Sequence, residues 1–221
     1  MSRRWSALAL ACCAIVGLVG LGVAAGMWFQ ARADRTDGPI ALSDAEVGFV
    51  QDMAAHHEQA ILLTQNLSDQ VSPHVRVLSE QIELEQMREI GELRGWLRLY
   101  ALAPQSSSPM AWMAEPGDGG HHGQSRPTED SAQPVAMPGM ASWPDIDDLR
   151  GLTGRDAEVR FLQLMIRHHN GGIDMATAGY RASDLPAVRQ TALSMVQSQA
   201  DEIESMTGML RARGAAALPY P

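Results

Sequence analysis

The chain carries two copies of one sequence pattern, and this duplication limits the folds that it can adopt. The first copy reads FVQDMAAHHEQAI from Phe49 to Ile61, and the second reads FLQLMIRHHNGGI from Phe161 to Ile173, 112 residues later. A second shared stretch follows in each half at a shift of 113, from Gln86 to Leu97 and from Gln199 to Leu210. A repeated unit of this kind cannot bury its apolar face alone, so the two copies are predicted to pack against each other.

Signals for the start of a helix lie at matching places in both halves. Ser43 to Glu46 has the spacing of a capping box, and Ser72 with Pro73 combines an N-cap residue with proline in the first turn. In the second half, Thr153 and Asp156 have the spacing of a capping box. The sequence SDLP at residues 183–186 marks the start of a further helix. Apolar residues between these points recur with helical spacing, and no convincing strand alternation appears. We therefore predict four helices, of which the first ends near Asn66, the second near Tyr100 and the fourth near Arg213.

The predicted fold class is all-α. Two repeated helical hairpins, residues 43–102 and 145–213, are expected to close into a four-helix bundle. The intervening residues 103–144 are rich in Pro, Gly and Ser, so they are predicted to form a flexible crossover. Four apolar side chains that recur in register should be buried between the hairpins, namely Phe49, Ile61, Phe161 and Ile173.

The N-terminal residues 1–33 have the composition of a targeting segment. Arginines at positions 3 and 4 precede an uncharged apolar run from Trp5 to Phe29, which is long enough to span a bilayer. The segment is either a membrane anchor, favoured by its length, or a signal peptide that is cut after Ala33. Both alternatives place the remaining chain outside the cytoplasm. Because Cys12 and Cys13 are the only cysteines, the exported part contains neither a disulfide nor a thiolate ligand.

The charge of the chain from residue 34 onward argues against a nucleic-acid partner. This part contains 14 arginines, no lysine and 26 acidic residues, which gives a net charge of −12. A nucleic-acid-binding surface needs a basic face, and the sequence contains no basic cluster that would form one. The acidic balance instead favours the attraction of cations.

Each copy of the pattern places a methionine close to a pair of histidines. Residues three and four positions apart share a helix face, so the methionine that precedes each pair neighbours both imidazoles. In the second copy the same stripe continues through Gly172 to Met175. The repeated residues are Met53, His56 and His57 in the first copy and Met165, His168 and His169 in the second.

This combination of side chains is typical of a copper site. Thioether sulfur is a soft ligand and imidazole a borderline one, which together suit copper and especially Cu(I). Zinc more often recruits cysteine or carboxylate. A dinuclear iron site in a bundle needs two Glu-x-x-His motifs, and none lies on the four predicted helices. The crossover adds further candidate ligands, which either capture ions or reflect composition alone: Met110, Met113, His121, His122, Met137 and Met140.

A metal-free alternative remains open from the residues themselves. Methionines at helical spacing are common core residues, and an internal histidine is often only a hydrogen-bonded core residue. Glu89 and Glu202 recur beside Gln86 and Gln199. These side chains either orient the imidazoles through hydrogen bonds or form a polar helix face.

The doubled motif resembles the domain-of-unknown-function 305 (DUF305) family. The resemblance rests on FVQDMAAHHEQAI and FLQLMIRHHNGGIDMA, on Gln-x-x-Glu-Ile in each half, and on MPGM before the second copy, and it covers about residues 43–213. It implies a ferritin-like fold and an exported protein that binds copper through methionine and histidine and supports copper resistance. The ligand candidates that it implies are Met53, His56, His57, Met165, His168, His169 and Met175.

Together these observations predict an extracytoplasmic metal-binding protein that is not an enzyme. It would buffer or transfer copper, with Cu(I) as the favoured ion, and would contact the membrane through its N-terminal segment. Two other functions fit the same residues. One is a ferritin-like redox enzyme that depends on a bound metal, and the other is a metal-free helical interaction module.

Overall fold

The structure is a computed structural model that describes residues 17–18, 20–30, 41–113 and 137–220, and within these residues the fold is all-α, as predicted. Residues 20–30 are helical and belong to a compact unit, Met1–Ala41, that is separate from Leu42–Pro221. A short 3-10 helix spans Ala111–Met113. The α-helices of the second unit are α1 (Asp44–Gln65), α2 (Pro73–Leu99), α3 (Trp143–Gly151), α4 (Gly154–Ala182) and α5 (Pro186–Ala212).

The described part of the chain contains no helix that is both long and apolar enough to cross a membrane. The N-terminal segment predicted as a signal or anchor, residues 1–33, lies largely outside that part.

The long helices begin where local capping chemistry predicts. Ser43 accepts a hydrogen bond from the Glu46 backbone N–H, and the Glu46 carboxylate accepts one from the Ser43 N–H at 2.7 Å, which completes the capping box. Proline occupies the first turn of both α2 and α5. The additional helix α3 was not predicted. Its own signal is a capping box between Ser142 and Asp145.

The four long helices form two hairpins that meet along α1 and α4. Helix α2 packs on α1, α5 packs on α4, and α1 packs on α4. The helices of the first hairpin are antiparallel: Glu58 forms an ion pair with Arg94, whereas Gln65, which lies further along α1, donates a hydrogen bond to Glu83, which lies earlier in α2. The architecture therefore follows the duplication, with one hairpin from each copy.

Two separate apolar clusters fill the interior. The first contains Phe161 and Leu149, and the second contains Phe49 and Leu93. Both phenylalanines are fully buried, as predicted, whereas Ile61 and Ile173 are only partly buried. On every long helix, polar residues interrupt the apolar faces between the two clusters. We call these residues the polar layer; its members are His56, His57, Gln86, Glu89, His168, His169, Gln199 and Glu202.

The two ends of the crossover are packed, which differs from the flexible segment predicted over residues 103–144. The buried Asp52 carboxylate accepts hydrogen bonds from the Met110 backbone N–H at 2.6 Å and from the Trp112 indole N–H at 2.9 Å. The Trp112 ring also meets Phe49 edge to face, with 5.5 Å between ring centroids. The apolar surface of this tryptophan therefore anchors the start of the crossover on α1. Residues 114–136, with His121 and His122, lie outside the described residues.

Replacement of Gly179 tests the close approach of α1 and α4. A Cβ atom at this position would overlap the Phe49 ring, whereas a Cβ at Gly208 on the exposed face of α5 would meet no atom within 4 Å. Gly179→Ala should lower the free energy of unfolding by about 1–3 kcal/mol, because the packed interface must shift. Gly208→Ala should be neutral or raise it by up to about 1 kcal/mol. Urea unfolding compares the two, and equal stability of the variants would contradict this interface.

Replacement of Trp112 tests the packed start of the crossover. Trp112→Ala removes the ring contact with Phe49 and leaves Asp52 with one hydrogen bond fewer, so it should cost about 2–3 kcal/mol of stability. Trp143, which is 71% exposed, provides the matched control, and Trp143→Ala should cost little. Thermal unfolding of both variants is the measurement, and an unchanged melting temperature for Trp112→Ala would show that this segment is not anchored.

Candidate metal centre

The repeat brings the two inner histidines of the polar layer into direct contact. His56 on α1 and His168 on α4 stack with 3.9 Å between ring centroids and 31° between ring planes. These positions are equivalent in the two copies. A pseudo-two-fold axis that relates the hairpins therefore passes between the two rings. Both histidines are at most 1% exposed.

The two outer histidines are held by carboxylates on the neighbouring helix of the same hairpin. His57 Nε2 lies 2.6 Å from Glu89 Oε2, and His169 Nε2 lies 2.6 Å from Glu202 Oε2. Adjacent residues on a helix diverge by about 100°, which directs these rings away from the central stack. The orienting role that the repeated glutamates suggested in the sequence is thus confirmed by their hydrogen bonds.

Backbone carbonyls determine which ring nitrogen carries the hydrogen in His56 and His168. His56 Nε2 lies 3.0 Å from the Pro138 carbonyl oxygen, and His168 Nε2 lies 3.1 Å from the His56 carbonyl oxygen. A carbonyl oxygen only accepts, so each Nε2 donates its hydrogen and each neutral ring keeps its lone pair on Nδ1. Carboxylates also accept only, so the Nε2 atoms of His57 and His169 donate their hydrogens as well.

A short strap, Met137 to Met140, closes one side of the polar layer. It is the MPGM motif, and its Gly139 has a φ of 75°, a conformation that favours glycine. A Cβ on Gly171 would overlap the Pro138 carbonyl oxygen, and one on Gly139 would overlap the Arg167 carbonyl oxygen. These two glycines therefore allow the strap to lie directly on α4 and to reach His56.

Most unsatisfied polar side-chain atoms among the described residues belong to the polar layer. They include the Nδ1 atoms of all four paired histidines, Gln86 Oε1, and both amide atoms of Gln199. The Gln199 amide lies against Gly172, where a Cβ would overlap it. Buried atoms of this kind normally have a partner, so seven in one layer single it out as the candidate site for a bound ion.

The electrostatics of the layer favour a bound cation. Burial lowers the pKa of His56 to about 3, with a contribution from His57 nearby. Burial and the adjacent His56 also lower the pKa of His168 well below that of free histidine. The rings of His56 and His168 are therefore neutral at physiological pH, as metal ligation requires. The free atoms are mostly lone pairs, which a cation would satisfy.

The predicted methionine candidates lie on both sides of the histidines and are fully buried. Met53 and Met175 belong to the second apolar cluster together with Met195, whereas Met165 belongs to the first. Met110, Met113 and Met137 pack against the second cluster from the crossover. The structure thus brings the four histidines together but divides the three predicted methionines. Within the described ranges, no group of three or more His, Cys, Asp and Glu side chains is arranged to hold one ion.

Sequence analysis missed two features of the site. They are the Pro138 carbonyl, which pairs with His56, and the unpartnered amide of Gln199. The MPGM glycine and the Gly171-Gly172 pair were the available signals, since both mark close backbone approaches.

Fold and site together define an all-helical protein built from a duplicated hairpin with a buried histidine layer. The chain belongs to the DUF305 family, a domain of unknown function, which it matches over residues 46–210. No protein of curated function is detectably similar in sequence.

Solved structures of three proteins place the fold in context. The chain is 35% identical to a predicted secreted DUF305 protein from Streptomyces coelicolor, with a TM-score of 0.68 over 80% of this chain and 98% of that one. A DUF305 fragment from Deinococcus radiodurans is 28% identical, with a TM-score of 0.61 over 78% of this chain and 99% of the fragment. CopM in its Cu(I)-bound form is 21% identical, with a TM-score of 0.52 over 76% of this chain and 96% of that one, which shows a shared fold.

The low pKa values of the inner histidines predict how stability depends on pH. The unfolded chain binds protons near pH 6.5 that the folded layer excludes, so stability is complete above that pH and falls as the pH decreases toward about 3. Between about pH 8 and pH 5, His56 alone should cost about 2 kcal/mol. Urea unfolding of the metal-free protein across this range measures the loss. The double variant His56→Leu/His168→Leu should show a smaller loss, and an equal loss would assign it to other groups.

Proposed function

We propose that this protein binds copper outside the cytoplasm and buffers or transfers it. The observation that carries the proposal is the set of four buried imidazoles, each with an unpartnered Nδ1 atom. In this proposal the described helices form a ferritin-like four-helix bundle, and residues 1–33 act as a signal peptide or membrane anchor. The absence of cysteine after Cys13 suits an exported chain that binds a soft ion without thiolates.

Copper fits the chemistry of the available donors. Neutral imidazole and thioether together favour Cu(I), and the polar layer lies between two clusters that both contain buried methionine. CopM, which shares the fold, has been solved with Cu(I), Cu(II) and Ag bound. The proposed ligands are drawn from His56, His57, His168, His169, Met53, Met165 and Met175.

Glu89 and Glu202 have a supporting role in this proposal. Each accepts the Nε2–H of an outer histidine, which fixes the ring orientation and raises the basicity of its Nδ1 atom. The Pro138 carbonyl does the same for His56. The partly buried Met110, Met113 and Met137 pack against the second cluster, where they would add thioether donors beside Met53 and Met175.

Removal of either histidine pair should abolish high-affinity copper binding. Each double variant, His56→Ala/His57→Ala or His168→Ala/His169→Ala, removes one stacked and one carboxylate-paired imidazole. The affinity for Cu(I) should fall at least about tenfold in both, because ligands and their orientation are lost together. A competitive Cu(I) titration gives the affinity, and circular dichroism gives the helix content.

His74 provides the matched control for this experiment. It is an exposed histidine at the start of α2, and His74→Ala should bind like wild type. If both double variants fold and bind Cu(I) as wild type does, the histidine pairs are core residues and the metal-free alternative is correct.

A further inference from the structure

Helices α2 and α5 are separated by a polar cleft. The packed pairs are α1 with α2, α4 with α5 and α1 with α4, and no comparable interface joins α2 to α5. A cavity of about 350 Å³ lies between them. Its polar lining residues are Arg88, Glu89 and Glu92 of α2 and Gln190, Thr191 and Ser194 of α5.

The cleft and the histidine layer share one residue. Glu89 lines the cleft, and its Oε2 atom lies 2.6 Å from His57 Nε2. The side chain is only 1% exposed, which places it at the bottom of the cleft. Gln86, one helical turn before Glu89, adds a buried carbonyl oxygen without a partner. Polar atoms therefore continue from the cleft to the imidazoles.

Two interactions narrow this cleft. Thr191 Oγ1 donates a hydrogen bond to Glu92 Oε1 at 2.6 Å, which connects α5 to α2. The Arg88 guanidinium lies 2.6 Å from Glu85, 3.5 Å from Glu89 and 3.6 Å from Glu92. A fixed positive charge thus lies beside the carboxylates that would attract a metal cation.

The opposite side of the layer is closed. The strap from Met137 to Met140 covers the α1–α4 side, where Pro138 contacts His56 and Gly139 contacts the α4 backbone. A groove of about 430 Å³ also lies along the α1–α2 hairpin, but no residue of the polar layer lines it.

We propose that a metal ion reaches and leaves the histidine layer through the α2–α5 cleft, past Glu89, and that Arg88 and the Thr191–Glu92 hydrogen bond limit its rate. This inference rests on the proposed copper-binding function. A residue that controls only the route changes association and dissociation by the same factor, since it alters the barrier and leaves the bound state unchanged. A ligand residue changes the affinity instead.

Two variants of α5 test the route in opposite directions. Thr191→Val removes the hydrogen bond across the cleft with little change in shape, and Ser194→Phe fills the exposed mouth. Stopped-flow transfer of Cu(I) to and from a chromophoric chelator gives both rates, and the end point gives the affinity. Thr191→Val should raise both rates at least about threefold and Ser194→Phe should lower both, with the affinity unchanged in each.

The repeat supplies a matched control for the blocking variant. Gln81 is the residue of α2 that corresponds to Ser194 at the shift of 113. By the symmetry of the repeat, Gln81 is related to Glu202 as Ser194 is related to Glu89. Gln81→Phe should leave both rates unchanged. If it slows transfer as much as Ser194→Phe does, the ion uses the Glu202 end and the proposal is wrong.

A second pair of variants tests whether the charge of Arg88 limits the entry of the ion. Arg88→Gln should speed association, and the gain should shrink at high salt because the effect is electrostatic. Arg94→Gln removes the same charge from α2 outside the cleft, where Arg94 pairs with Glu58, and should have no effect.

Unchanged rates in Thr191→Val, Ser194→Phe and Arg88→Gln, in protein that still binds Cu(I), would overturn the route alone. Wild-type protein that binds no Cu(I) would overturn the proposed function itself.

Discussion

The stacked rings of His56 and His168 set the geometry of the whole helical unit. Equivalent residues of two copies can touch each other only at a symmetry axis, so this contact places the pseudo-two-fold axis at mid-helix in α1 and α4. The remaining members of the polar layer then fall at matching heights on each side. The division of the core into two apolar clusters follows from the same contact, because the layer crosses all four long helices.

The polar layer lowers the folding stability of a protein of this size unless its buried polar atoms have hydrogen-bond partners or ligate an ion. A buried polar atom without a partner costs roughly 1–3 kcal/mol. Each of the four Nε2 atoms donates a hydrogen bond within the chain. The acceptors are the carboxylates of Glu89 and Glu202 and the backbone carbonyls of Pro138 and His56. A histidine that ligates a metal commonly donates its other ring N–H to a group of this kind, so all four rings have the pattern that ligation through Nδ1 would need.

Local sequence signals predicted the helices, whereas contacts between distant residues had to come from the structure. Ser43, Pro73 and Pro186 mark helix starts through chemistry within one turn, and the starts are confirmed. The repeat predicted that the two copies would pack against each other, and the histidine pairs meet because symmetric units pack through symmetric faces. The anchoring of Trp112 on Asp52 escaped prediction, since 60 residues separate the two and the surrounding composition is that of a loop. Met53 and Met165 occupy equivalent places, yet helical periodicity alone could not show that they lie in opposite clusters.

Departures from the repeat show that the two halves of the site are no longer equivalent. Met175 corresponds to Leu63, so the second copy alone supplies a thioether at this position. Arg88 corresponds to Asp201, so Glu89 has a cationic neighbour whereas the residue before Glu202 is acidic. Glu89 is 1% exposed and Glu202 is 18% exposed. The duplicated pattern supplies two equivalent pairs of imidazoles, and these differences distinguish the two ends of the polar layer, so that the electrostatic barrier to an approaching cation differs between them.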